Sequence, residues 1–124
     1  MLLRYIFSSN RLFTEAFAAK ASEIQSLRTS YIDKIQRFVM FRSTQDIKIQ
    51  EANRRMVNCD IRGEELGDAI LDVKYHNNIR DELTRSIDDL ESKLRHTEYV
   101  QYFITYMQKQ LHGIDHTSAF VCVS

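Results

Sequence analysis

The sequence has no proline and no tryptophan, and among its 124 residues only three are glycine, Gly63, Gly67 and Gly113. Few positions can therefore break a helix or set special turn geometry. A glycine-rich loop able to cradle phosphate is missing, as are a nucleophile elbow, a zinc pattern and a dinucleotide fingerprint. The chain is expected to be non-enzymatic and to need no cofactor. Cys59 and Cys122 are the only cysteines, too few for a disulfide framework. In the hairpin derived below they stand about 70 Å apart at ~1.5 Å per helical residue, so no bridge joins them. Lysine plus arginine equals aspartate plus glutamate at 17 each, which leaves no overall field to draw nucleic acid or an anionic membrane. No apolar run approaches the ~20 residues that span a bilayer, so no transmembrane segment is expected.

What the chain does have is 44% hydrophobic and 27% charged residues, a balance that suits a helical bundle or coiled coil with a thin core. From Ile24 the apolar positions advance in steps of three and four: Leu27, Tyr31, Ile35, Phe38, Phe41, Gln45, Ile49, Ala52, Met56 and Cys59. Only Gln45 is polar in this heptad seam. The second half continues with Leu66, Ile70, Val73, Asn77, Arg80, Leu83, Ile87, Leu90, Leu94 and Thr97, then slips by about one residue to Val100, Ile104, Met107 and Leu111.

Gly63 stands almost at the midpoint of the chain and is the natural place for a reversal. The pattern predicts a single all-α domain, a long antiparallel two-helix coiled-coil hairpin. Its helices run from about 10 to 60 and 65 to 112, with a turn at 61–64 and a flexible tail at 113–124 after Gly113 as helix stop. Partner residues are expected to add to about 126. That register sets Met56 against Ile70, Ala52 against Val73, Ile24 near Tyr102, and Gln45 against the polar stretch from Asn77 to Arg80. Ser43 or Thr44 could cap a new helix, which leaves a three- or four-helix bundle as the alternative. Residues 1–20 are expected to fold over the open end as a short third helix.

Five acid–base pairs sit at i, i+4, namely Asp33–Arg37, Glu51–Arg55, Asp81–Arg85, Asp89–Lys93 and Glu91–Arg95, and read as a solvated face. His112 and His116 lie near Asp115, but Gly113 interrupts the helix that would align them and no third ligand accompanies them, so no metal site is expected.

Two groups of residues are candidates for partner binding. Tyr5, Phe13 and Phe17 near the start, and Tyr99, Tyr102, Phe103 and Tyr106 near the end, meet at the open end of a hairpin. Tyrosine and phenylalanine are enriched in interface cores. At the tip, Arg54, Arg55 and Arg62 form a basic cluster beside Glu64, Glu65 and Asp68. A two-helix hairpin buries little interior, so the expected partners are other proteins, with self-association also open.

The opening Leu2-Leu3-Arg4-Tyr5, Arg11 and the run from Glu15 through Ala16, Phe17, Ala18, Ala19, Lys20 and Ala21 are similar to the start of the central-stalk proteins of flagellar and type III secretion ATPases. Those proteins are also cytoplasmic helical hairpins of this size. The resemblance implies that Arg4, Arg11 and Lys20 enter a hexameric ATPase ring and promote its assembly or turnover. It implies too that Arg54, Arg55 and Arg62 face an export gate or substrate chaperones. Residues 1–14 carry Arg4, Arg11, Ser8 and Ser9 and no acid, a composition close to a mitochondrial presequence. The rival expectation is therefore a small helical subunit of a mitochondrial membrane-associated complex. A coiled-coil secretion chaperone or adaptor is the third.

Overall fold

A computed structural model describes the backbone of residues 2–58 and 62–123, and the side chains of residues 11–58 and 62–113. The protein is an all-α helical hairpin of two helices, α1 (Leu2–Val57) and α2 (Glu64–Val123). No helix among the described residues is long and apolar enough to cross a membrane. Two expectations about helix ends are corrected, and the alternative of a break near Ser43 is set aside. Residues 2–20 form the first turns of α1 and not a separate third helix, since no glycine or proline interrupts them. There is no break near Ser43: the Thr44 hydroxyl donates to the Met40 carbonyl 3.2 Å away, bonding back into its own helix and capping nothing. At the other end α2 does not stop at Gly113 but continues to Val123. A helical glycine costs only about 1 kcal/mol relative to alanine, which does not end a helix by itself.

Gly63 makes the reversal. Its φ of 64° is left-handed, and its carbonyl accepts the Gly67 amide at 3.0 Å, the opening bond of α2. Arg54 and Arg55 in the last turn of α1, and Glu64 and Glu65 in the first turn of α2, complement the helix dipoles. Cys59 lies outside the described residues.

The chain divides into two units, each with a segment of both helices. The central unit is Tyr31–Lys93; the terminal unit is Met1–Ser30 with Leu94–Ser124. In the central unit Ala52, Ala69, Ile87 and Leu90 are buried, with Tyr31, Ile35, Phe38, Ile49 and Leu83 half-buried beside them. Asp46 pairs with Arg80 at 2.6 Å, and Arg42 donates to the Thr84 hydroxyl at 3.4 Å. Arg55 pairs with Asp72 at 2.6 Å, and Gln45 meets His76. The first two pairs add to 126, so the register expected from matching the seams holds here, although Gln45 meets His76, one residue before the expected stretch from Asn77 to Arg80. In the terminal unit Ile24, Thr97, Ile104 and Leu111 are buried, and Phe17 and Ala21 half-buried. Arg28 reaches Glu98 at 3.8 Å, again a pair adding to 126.

Several seam positions differ from expectation. Arg28 and Arg42 take the places read as Leu27 and Phe41, both of which are exposed. On α2 the completely buried residue is Ala69, while Ile70 and its expected neighbour Met56 are exposed. Tyr102, expected near Ile24, is also exposed. After Thr97 the expected positions hold: Ile104 and Leu111 are buried and Val100 and Met107 half-buried, with Gln101 and Gln108 half-buried beside them. A buried Ile or Leu contributes about 1.5–3 kcal/mol, so the hairpin tolerates polar seam positions where they find partners across the helices.

Candidate protein-docking face

Within the terminal unit the seam of α2 occupies one side of the helix, through Thr97, Ile104 and Leu111. At 100° per residue, Tyr99, Tyr102, Phe103 and Tyr106 fall on the opposite side. Their spacing of i, i+3, i+4 and i+7 stacks them as one ridge. They are 76%, 77%, 56% and 52% exposed respectively, so they serve neither helix's packing. A polar rim of three tyrosine hydroxyls surrounds an apolar body, which is the chemistry of interface anchors.

Apart from Glu98, which stands one turn before Tyr102 and reaches Arg28 at 3.8 Å, the same face is basic. Arg95 lies one turn before the ridge and Lys109 one turn after it, neither with an ion-pair partner among the described residues. The expected Glu91–Arg95 pair is not formed, and no carboxylate occurs in α2 from Tyr99 to Gly113. The face therefore suits an apolar partner surface carrying carboxylates.

The other residues expected at this end are placed differently. Arg11 is held by Glu15 at 3.1 Å and Lys20 by Glu23 at 3.4 Å, both on exposed surface. Phe17 enters the seam and Phe13 is exposed on α1. No ring contact joins these rings to those of α2; among the described residues the ring contact is Tyr75 with His76, 5.1 Å apart. Arg4 and Tyr5 lie outside the described side chains, as do Asp115, His116 and Cys122.

At the turn end of the central unit, the three arginines do not act alike. Arg55 is committed to Asp72 in place of the expected Glu51. Arg54 borders a shallow depression with Gln50, Asn53 and Val57, and Arg62 is exposed in the turn. Of the remaining local pairs, Asp33–Arg37 and Asp89–Lys93 form and Asp81–Arg85 does not. Such exposed pairs contribute only about 0.2–0.5 kcal/mol, too little to hold against solvent or a cross-helix partner. The Asp89 carboxylate, 3.0 Å from Lys93 Nζ, accepts its hydrogen bond and holds its pKa above the ordinary 10.5.

One exposed feature escaped the sequence reading. Ile32, Val39, Met40 and Ile47 are exposed on α1 and stand off the seam. Their spacing of seven, eight and fifteen from Ile32 was the available signal, hidden because the seam uses the same steps of three and four.

The fold defines an all-α helical hairpin of coiled-coil type. Compared with family models, with curated proteins and with solved structures, the chain matches none.

Proposed function

We propose that this protein is a non-enzymatic interaction scaffold, a helical hairpin that docks another protein on the outer side of α2. The observation that carries this is the ridge of Tyr99, Tyr102, Phe103 and Tyr106, more than half exposed on the side of the helix turned from the seam. Solvent gains nothing from four adjacent aromatic rings, whereas a partner that covers them gains their apolar area and hydroxyl hydrogen bonds. Arg95 and Lys109 steer the choice toward an acidic partner surface. A photo-crosslinking phenylalanine analogue at Tyr102 in the native cell should give a discrete adduct that Phe103→Asp abolishes. Absence of an adduct, or an adduct indifferent to Phe103→Asp, removes the proposal.

Within it, the partner implied by the resemblance is a hexameric secretion ATPase, with the protein as its cytoplasmic stalk. The two long helices and the placement of Arg11 and Lys20 in the terminal unit support that reading. Mixing the protein with such an ATPase should give co-purification and faster turnover. No binding and no stimulation would eliminate the stalk role while leaving docking on the aromatic ridge in place.

A further inference from the structure

We propose that a second copy of this chain docks on the exposed apolar stripe of α1 in the central unit, forming a weak antiparallel homodimer. The stripe consists of Ile32, Gln36, Val39, Met40, Ser43 and Ile47, all exposed. At 100° per residue these six lie within about 100° of the helix circumference, to one side of the hairpin seam. None is charged, in a chain where 27% of residues are.

The order of the stripe selects a second copy over other occupants. Read from either end it runs apolar, polar, apolar, apolar, polar, apolar, with Ile32 mirrored by Ile47, Gln36 by Ser43, and Val39 by Met40. A two-fold contact requires such self-complementarity, since residue i of one copy meets residue j of the other and j meets i. Turned antiparallel about the midpoint between Val39 and Met40, two copies place isoleucine on isoleucine at both ends. The amide and hydroxyl of Gln36 and Ser43 then face one another between them.

The charges at the margins permit this. Asp33 flanks the stripe on one side and is paired with Arg37; Asp46 flanks it on the other and is paired with Arg80 at 2.6 Å. Both carboxylates are neutralised within their own copy, so docking brings no uncompensated like charges together. The area sets the strength. A stripe about 22 Å long buries on the order of 500 Å² per copy, short of the roughly 800 Å² of a standard interface. Association is therefore expected to be weak and to depend on concentration in the micromolar range and above.

Sedimentation of the full chain from about 5 to about 500 µM, where weak dimers form, tests this. The expected result is a monomer–dimer equilibrium that Met40→Asp weakens at least about tenfold by burying a carboxylate at the two-fold axis, and that Phe103→Asp leaves unchanged. Met40 is 71% exposed, so the variant should keep its helical circular dichroism. As a second measurement, Met40→Cys in a chain with Cys59→Ser and Cys122→Ser should cross-link to itself under mild oxidation, and Leu71→Cys in the same background should not. A monomer at every concentration overturns the proposal. So does a dimer that survives Met40→Asp, dissolves with Phe103→Asp, or cross-links equally through Leu71→Cys.

Discussion

Gln45 and His76 meet across the two helices of the central unit, with Gln45 Oε1 2.5 Å from His76 Nδ1. The imidazole N–H donates and the amide oxygen accepts, in a half-buried layer bordered by the Asp46–Arg80 pair. Gln45→Leu alone leaves His76 Nδ1 without its acceptor and should cost about 1 kcal/mol. The double variant Gln45→Leu, His76→Leu removes both groups and should exceed the original chain by about 1 kcal/mol, as apolar side chains fill the seam. Urea denaturation of the two variants checks the sign reversal.

Two glycines near the turn should respond oppositely to alanine. At neither position does an added Cβ meet anything within 4 Å, so backbone conformation alone decides. Gly63 holds a left-handed φ of 64°, and Gly63→Ala should lose about 1 kcal/mol. Gly67 lies inside α2, and Gly67→Ala should gain about 0.5–1 kcal/mol. Thermal melts should move down for the first and up for the second.

Ala52 and Ala69 are both completely buried, the tightest positions of the central unit. Small side chains there let the helices approach closely near the turn. Ala52→Leu or Ala69→Leu should overpack this layer and cost about 1–3 kcal/mol each. Ile70→Ser, one residue away and exposed, should change stability by less than about 0.5 kcal/mol. Equilibrium unfolding of the three variants separates these outcomes.

Lys93 is exposed, yet its hydrogen bond from Nζ to Asp89 and the attraction of that carboxylate hold its pKa above the ordinary 10.5. A lysine whose folded pKa exceeds its unfolded pKa adds stability that is complete below the unfolded value and disappears as pH rises through the folded one. Asp89→Asn should return the titration of Lys93 toward 10.5, as followed by the chemical shift of its ε-methylene group. Any difference in unfolding midpoint between the two proteins should vanish at strongly alkaline pH.

The helical hairpin and its reversal at Gly63 were legible because glycine and proline are so scarce that nothing else could interrupt the helices. The register was legible because the polar positions of one seam matched those of the other. The exact phase was not. Between Ile24 and Tyr31 a step of three reaches Leu27 and a step of four reaches Arg28, and hydropathy prefers the leucine. The structure places Arg28 inside because Glu98 lies across from it, although its Nε stays buried without a partner. Arg42 displaces Phe41 in the same way, opposite Thr84. An arginine can enter a seam by laying its methylene stem along the interface and carrying its charge to the edge, which single-residue hydropathy does not register. The aromatic cluster of α2 was visible in the sequence, but its orientation followed only from the true heptad phase. With Thr97, Ile104 and Leu111 as the buried line of α2, Tyr99, Tyr102, Phe103 and Tyr106 turn outward.

Among the described residues the large buried side chains are few, namely Ile24, Ile87, Leu90, Ile104 and Leu111. Melting such a molecule uncovers little apolar area that water has not already touched, so its heat-capacity increment should fall below the ~12–15 cal/mol/K per residue of ordinary globular proteins. A small increment flattens the dependence of free energy on temperature. The hairpin should therefore resist cold as well as moderate warmth and lose its helices over a wide thermal span.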